Sequence, residues 1–181
     1  CVAVWAVGGL EQGLVAGLLA WSVVLARWAH DSGRASLRPW IPPGILLGLL
    51  SLSRPDGILF AGGIALALFA SARFSRSGLR HAVWIALPSV IAACGQLAFR
   101  LAYYGEWVPN PARAKVAFTS ERLLTGATYL GEGALSLAGL LLPALAAVIL
   151  AFAKRSRRRA VVIPCVPLLI WSTYLWLIGG D

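Results

Sequence analysis

Six apolar runs, at 10–28, 40–53, 58–72, 82–103, 129–153 and 160–178, leave little of this sequence for anything else. Short polar breaks separate them. A helix needs about 20 mainly apolar residues to cross the hydrocarbon of a bilayer. Four of the runs approach or exceed that length, and the two between 40 and 72 are shorter. Charged residues make up 13% of the chain and mean hydropathy is +0.79, against roughly 25% charge in an ordinary soluble domain. Only lipid tolerates this much apolar surface. The expected class is therefore all-α: a polytopic integral membrane bundle of about six transmembrane helices, with residues 1–181 forming part of one transmembrane domain. The lack of Met, the start at Cys1 and the stop at Asp181 suggest an internal piece of a longer protein. No basic segment and cleavage site of a signal peptide precede the first run.

The breaks carry the chain's charge. The loops at 27–39, 73–81 and 154–159 hold 11 of the 16 lysines and arginines. By the positive-inside rule they belong on the cytoplasmic side. The formal charge of +9 and the pI near 10.5 are thus a topology signal rather than a nucleic-acid footprint, and no nucleic acid is expected as a partner. With six spans, the segments around Glu11, Arg54 to Asp56, Tyr103 to Lys115 and Asp181 all fall on the outer side. If 40–72 is instead one broken span, Glu11 moves to the cytoplasmic side, and both arrangements stay open.

A charge within hydrocarbon costs about 2.5–3.5 kcal/mol on insertion scales, so each ionisable residue near a span needs a partner or water. Ser53-Arg-Pro-Asp-Gly57 breaks the helix because Pro55 and Gly57 both interrupt it. Arg54 and Asp56 either pair with one another so that the chain can turn, or line a polar cavity in which Arg54 meets an anion. Glu11 opens a helix, where the dipole favours a carboxylate; it equally suits a ligand or Arg54. Tyr103, Tyr104 and Trp107 suit a headgroup layer, and Arg100, one turn earlier, snorkels towards it. Arg113 and Lys115 are surface charges or phosphate ligands, since a guanidinium grips phosphate bidentately and an ammonium acts as a point charge. Asn110 stands between Pro109 and Pro111, which fix its backbone. Residues 116–128 form a short amphipathic surface helix on this reading, and Pro88 is a candidate kink. His30 and His81 fall in the basic loops. The three cysteines show no metal-ligand spacing and read as small buried hydrophobes. No Walker loop, zinc spacing or Ser/His/Asp arrangement is present.

Taken in order, Gly9-Leu10-Glu11, Ser53-Arg54-Pro55-Asp56-Gly57, Tyr103-Tyr104-Gly105 with Pro109-Asn110 and Ala114-Lys115, and Gly179-Gly180-Asp181 resemble a motif set of bacterial-envelope enzymes. These are the polyprenyl-phosphate-dependent GT-C glycosyltransferases, in particular the group that includes actinobacterial arabinofuranosyltransferases. Each motif alone is weak; the ordered set spans nearly the whole chain. Gln12, Ser53 and Pro111 stand where that group commonly has Thr, and Pro111 removes a hydroxyl and a backbone donor. The resemblance implies a GT-C-like bundle in a bacterial plasma membrane. It implies sugar transfer from a polyprenyl phosphate to an envelope glycan, lipid or protein on the extracytoplasmic side. Arg54, Arg113 and Lys115 would bind the donor phosphate. Tyr103, Tyr104 and Asn110 would shape the donor pocket. Glu11, Asp56 and Asp181 would orient the sugar or a divalent cation, although no metal site is assigned. The family's catalytic acidic residue lies on a loop that would precede Cys1. A transporter or flippase is the alternative, weakened by the lack of repeat symmetry between halves.

Overall fold

The computed structural model describes residues 12–33, 36–105, 107, 119–153 and 158–180. Among these every regular element is helical: α1 (Gln12–Asp31), a 3-10 turn (Arg38–Trp40), α2 (Ile41–Ser53), α3 (Gly57–Ser71), α4 (Arg76–Tyr104), α5 (Ser120–Ser136), α6 (Ala138–Ala153) and α7 (Arg158–Ile178). Local chemistry sets several boundaries. The prolines at 42 and 43 fall in the first turn of α2, where a missing N–H costs nothing. Ser75 caps α4 by accepting from the Gly78 amide at 3.1 Å. Thr119 caps α5 by accepting from Arg122. Gly105 ends α4 at φ 68°, a left-handed conformation natural to glycine.

The fold is easiest to follow by calling the end with the 54–56 turn the upper end. Helix α1 starts there, because Val15 and Ala16 share a cavity with Arg54 and Asp56. It descends to Ala26 and Ala29, which join Trp40 in the core. Helix α2 rises beside α4 in the same direction. Gly44 lies against the Trp84 and Ile85 carbonyls, and Gln96 donates to the Leu52 carbonyl at 2.9 Å. The chain then reverses. A Cβ at Gly57 would lie 2.7 Å from the Leu50 carbonyl oxygen, so only glycine lets α3 start so close to the end of α2. Helix α3 descends, and α4 climbs for 29 residues, about 43 Å at 1.5 Å per residue. Helix α7 rises antiparallel to α3, with Pro167 at Gly63 and Trp171 at Phe60. The core is Leu47, Leu50, Phe60, Ile64, Leu68, Ile85 and Ile163.

Among the described residues, three helices are long and apolar enough to cross a membrane: Gly13–Asp31, Arg76–Tyr104 and Val161–Ile178. A fourth crossing exists if Ser120–Ser136 and Ala138–Ala153 count as one broken span, although they meet at 89°. The expectation of six spans is corrected. The runs at 40–53 and 58–72 become helices of 13 and 15 residues, about 20 and 22 Å long, short of a hydrocarbon core of about 30 Å. The run at 129–153 is not one continuous helix, because the chain bends at Leu137. The surface helix expected at 116–128 is instead α5, which continues to Ser136. An all-α membrane architecture stands. Trp21, Ile91, Phe99 and Leu142 turn most of their surface outwards, as lipid-facing residues do. Cys94 is exposed and Cys165 half-buried, so Cys94 is not the core residue expected of it.

Candidate functional site

The upper turn owes its shape to an ion pair. Arg54 leaves α2 in an extended conformation, and its amide still bonds to the Leu50 carbonyl. Gly57 donates back to the Arg54 carbonyl at 2.9 Å. This folds the two charged side chains together: Arg54 Nε donates to Asp56 Oδ1 at 3.0 Å. Only 18% of the Arg54 side chain and 9% of the Asp56 side chain is exposed. Such a pair is largely desolvated, and it persists only where further hydrogen bonds complete the carboxylate.

That further bond comes from 115 residues away. Trp171 Nε1 donates to Asp56 Oδ2 at 3.2 Å, and its ring packs on Phe60 with centroids 5.6 Å apart. Asp56 therefore accepts through both oxygens, one from a guanidinium and one from an indole. Sequence reasoning did not single out Trp171. A usable signal existed, since Ile163, Pro167, Trp171 and Leu175 recur every four residues along α7. Ile163, Pro167 and Leu175 on this stripe are buried. A tryptophan on a buried stripe needs an acceptor for its N–H.

Below the pair runs an apolar furrow between α1, α3 and α7. A cavity of about 200 Å³ is lined by Arg54, Asp56, Trp171, Val15, Leu19 and Leu168. A second, of about 310 Å³, continues down to Val23, Pro164 and Pro167. The two share Ala16, Leu19, Phe60 and Leu168. Ala26, Ile64 and Ile163, one turn lower on the same three helices, are each fully buried. The furrow is thus polar at its upper mouth and hydrocarbon below.

The other expected site residues divide. Tyr103 and Tyr104 end α4 at the upper end, in a ring cluster with Phe99; the Tyr103 and Tyr104 centroids are 4.8 Å apart. Both are largely exposed. They stand seven and eight residues beyond Gln96, which is level with Leu52, hence about 10–12 Å further up α4. Neither lines the cavity that holds Arg54 and Asp56. Glu11, Asn110, Arg113, Lys115 and Asp181 lie outside the described residues. Among those described, no group of three His, Cys, Asp or Glu could hold a metal ion.

Gly179 and Gly180, next to Asp181, close α7 at φ 84° and 94°. They are held against α5: a Cβ on Gly179 would meet the Arg122 stem, and one on Gly180 the Tyr129 ring. Trp176 Nε1 donates to the Leu123 carbonyl at 3.1 Å. Gly179, Gly180, Arg122 and Tyr129, together with Thr119, Glu121 and Thr125, line an open upper concavity of about 500 Å³. The opposite end gathers Arg27, paired with Asp31 at 2.6 Å, Arg38 in the 3-10 turn, Arg73 in the turn after α3, and Arg76 and Arg80, which fall in the first turns of α4 and not in the loop expected at 73–81. His81 stacks on Trp40 there, at 4.8 Å. Comparison with known proteins gives no match to any family model, curated protein or solved structure.

Proposed function

We propose that this chain is part of a membrane glycosyltransferase that uses a polyprenyl-phosphate sugar donor. The acceptor is a hydroxyl of an envelope glycan, lipid or protein, met on the extracytoplasmic side of a bacterial plasma membrane. The reading is supported by the ordered motif set. The single observation that carries it is the furrow: a buried guanidinium at the mouth of an apolar trough. That is the chemistry of an anionic head on a hydrocarbon tail. On this reading Arg54 meets the donor phosphate, with Arg113 and Lys115 completing its cation set. Tyr103, Tyr104 and Asn110 border the donor, and Glu11, Asp56 and Asp181 orient the sugar or a divalent cation.

The reaction is displacement at the anomeric carbon. The acceptor oxygen bonds to that carbon, and the bond from carbon to phosphate oxygen breaks. The polyprenyl phosphate leaves with the electron pair, and a carboxylate takes the acceptor proton as general base. Cations aimed at the leaving phosphate act where charge develops, and removal of one such group costs about 10²–10³ in turnover.

The test uses a protein that carries these residues, reconstituted with a radiolabelled polyprenyl-phosphate sugar. Arg54→Ala and Lys115→Ala should each lower sugar transfer about a hundredfold or more. Unchanged turnover in both would remove them from the site. Movement of the lipid-linked sugar across the vesicle, with no transfer, would favour the transporter alternative.

A further inference from the structure

We infer that Trp171 is a positioning residue: it fixes Asp56, and through Asp56 it aims Arg54 into the furrow. The inference rests on the reading of Arg54 as a phosphate ligand. Its geometric part stands without that reading.

The argument starts from register. Helices α3 and α7 approach so closely at Gly63 that any Cβ there would collide with Pro167. One turn above that contact, Trp171 meets Phe60. One further turn along α3 is Asp56, and the indole N–H reaches it. Three successive contacts therefore set the height of α7 against the 54–56 turn. Asp56 lies two residues from Arg54 and accepts from its Nε, so the carboxylate's orientation bears directly on where the guanidinium points. With only Arg54 as donor, the carboxylate would rotate about its own bonds. A second donor on the other oxygen, carried by a different helix, removes that freedom. Trp171 also lines the cavity, so its ring forms one wall beside the group it orients. A residue that acts through another should lose its effect once the intermediary is gone, and this separates positioning from simple packing.

The experiment uses the chain in lipid nanodiscs, with farnesyl phosphate and farnesol as probes that differ only in the head. Wild type should bind farnesyl phosphate more tightly than farnesol. Trp171→Phe keeps the ring and removes the donor. It should weaken farnesyl phosphate binding about tenfold and leave farnesol binding within twofold. Asp56→Asn should have a similar effect, and the double variant should be no weaker than the worse single. Equal weakening for both probes, or losses that multiply in the double variant, would overturn the inference, because either result marks Trp171 as packing alone. If wild type does not distinguish the two heads, the phosphate reading fails. Thermal unfolding of the same four proteins then decides. Shifts from Trp171→Phe and Asp56→Asn that add would overturn the clasp, and a double variant no less stable than the worse single would sustain it.

Discussion

Two helix pairs in this molecule begin as similar sequence and end differently. The α2–α3 pair and the α5–α6 pair each place apolar helices on either side of a short break. At 54–56 the break holds an arginine, a proline and an aspartate, and the chain reverses so closely that Gly57 touches the turn it has just left. Both helices join the core. At Leu137 the break holds no charge and the bend is 89°. Helix α5 buries only Gly126, and α6 has no buried residue although it is almost wholly apolar. Hydropathy alone therefore does not decide which helix is packed. What separates the pairs is the presence of groups that demand a specific partner: Arg54 and Asp56 require each other and Trp171, whereas Leu137 requires nothing.

This contrast can be broken by substitution. The largest expected loss is at the turn. Asp56→Ala takes the carboxylate away from a largely buried Arg54 and should cost about 3–5 kcal/mol, read as a fall in thermal unfolding temperature in detergent. A loss under about 1 kcal/mol would show that the pair does not hold the hairpin. Next is Gly63→Leu, which overfills the contact of α3 with Pro167 and should cost about 1–3 kcal/mol or more; retained stability would mean the two helices can separate freely. Ser75→Ala removes the cap of α4 and should cost about 1 kcal/mol, detected in the same melt. Smallest is Leu140→Ala on α6, a residue 73% exposed, where the change should stay within about 0.5 kcal/mol. A large loss there would reveal that α6 packs on something in the membrane and would erase the difference between the two pairs.

Particular residues show how far the sequence could be read. The basic loops, the polar 54–56 break and the helix starts at Pro42 and Ser75 are local signals, and each marks a boundary in the structure. The number of crossings follows the length of each helix and not the length of each apolar run. Pro55 and Gly57 cut 40–72 into two helices too short to cross upright, and the bend at Leu137 falls between Gly133 and Gly139, inside a run whose hydropathy does not mark it. The hairpin and the broken span were both open from sequence. The 2.7 Å approach at Gly57 distinguishes them, and it depends on how two helices meet. Tyr103 and Tyr104 close α4 at the upper end, and their distance from Arg54 depends on α4 outrunning α2 by two turns.

By itself the sequence determined the solvent of this protein, lipid, because so few charges cannot cover so much hydrocarbon. It also determined which breaks carry which charge, because the alternation of apolar runs and basic loops is written in order along the chain. Only the tertiary structure decided that Asp56 is completed by an indole 115 residues away and that an apolar furrow runs beneath it. Those facts depend on the register of α7 against α3. That register is set by shape at Gly63 and Pro167, and shape of this kind appears only once two distant surfaces have met.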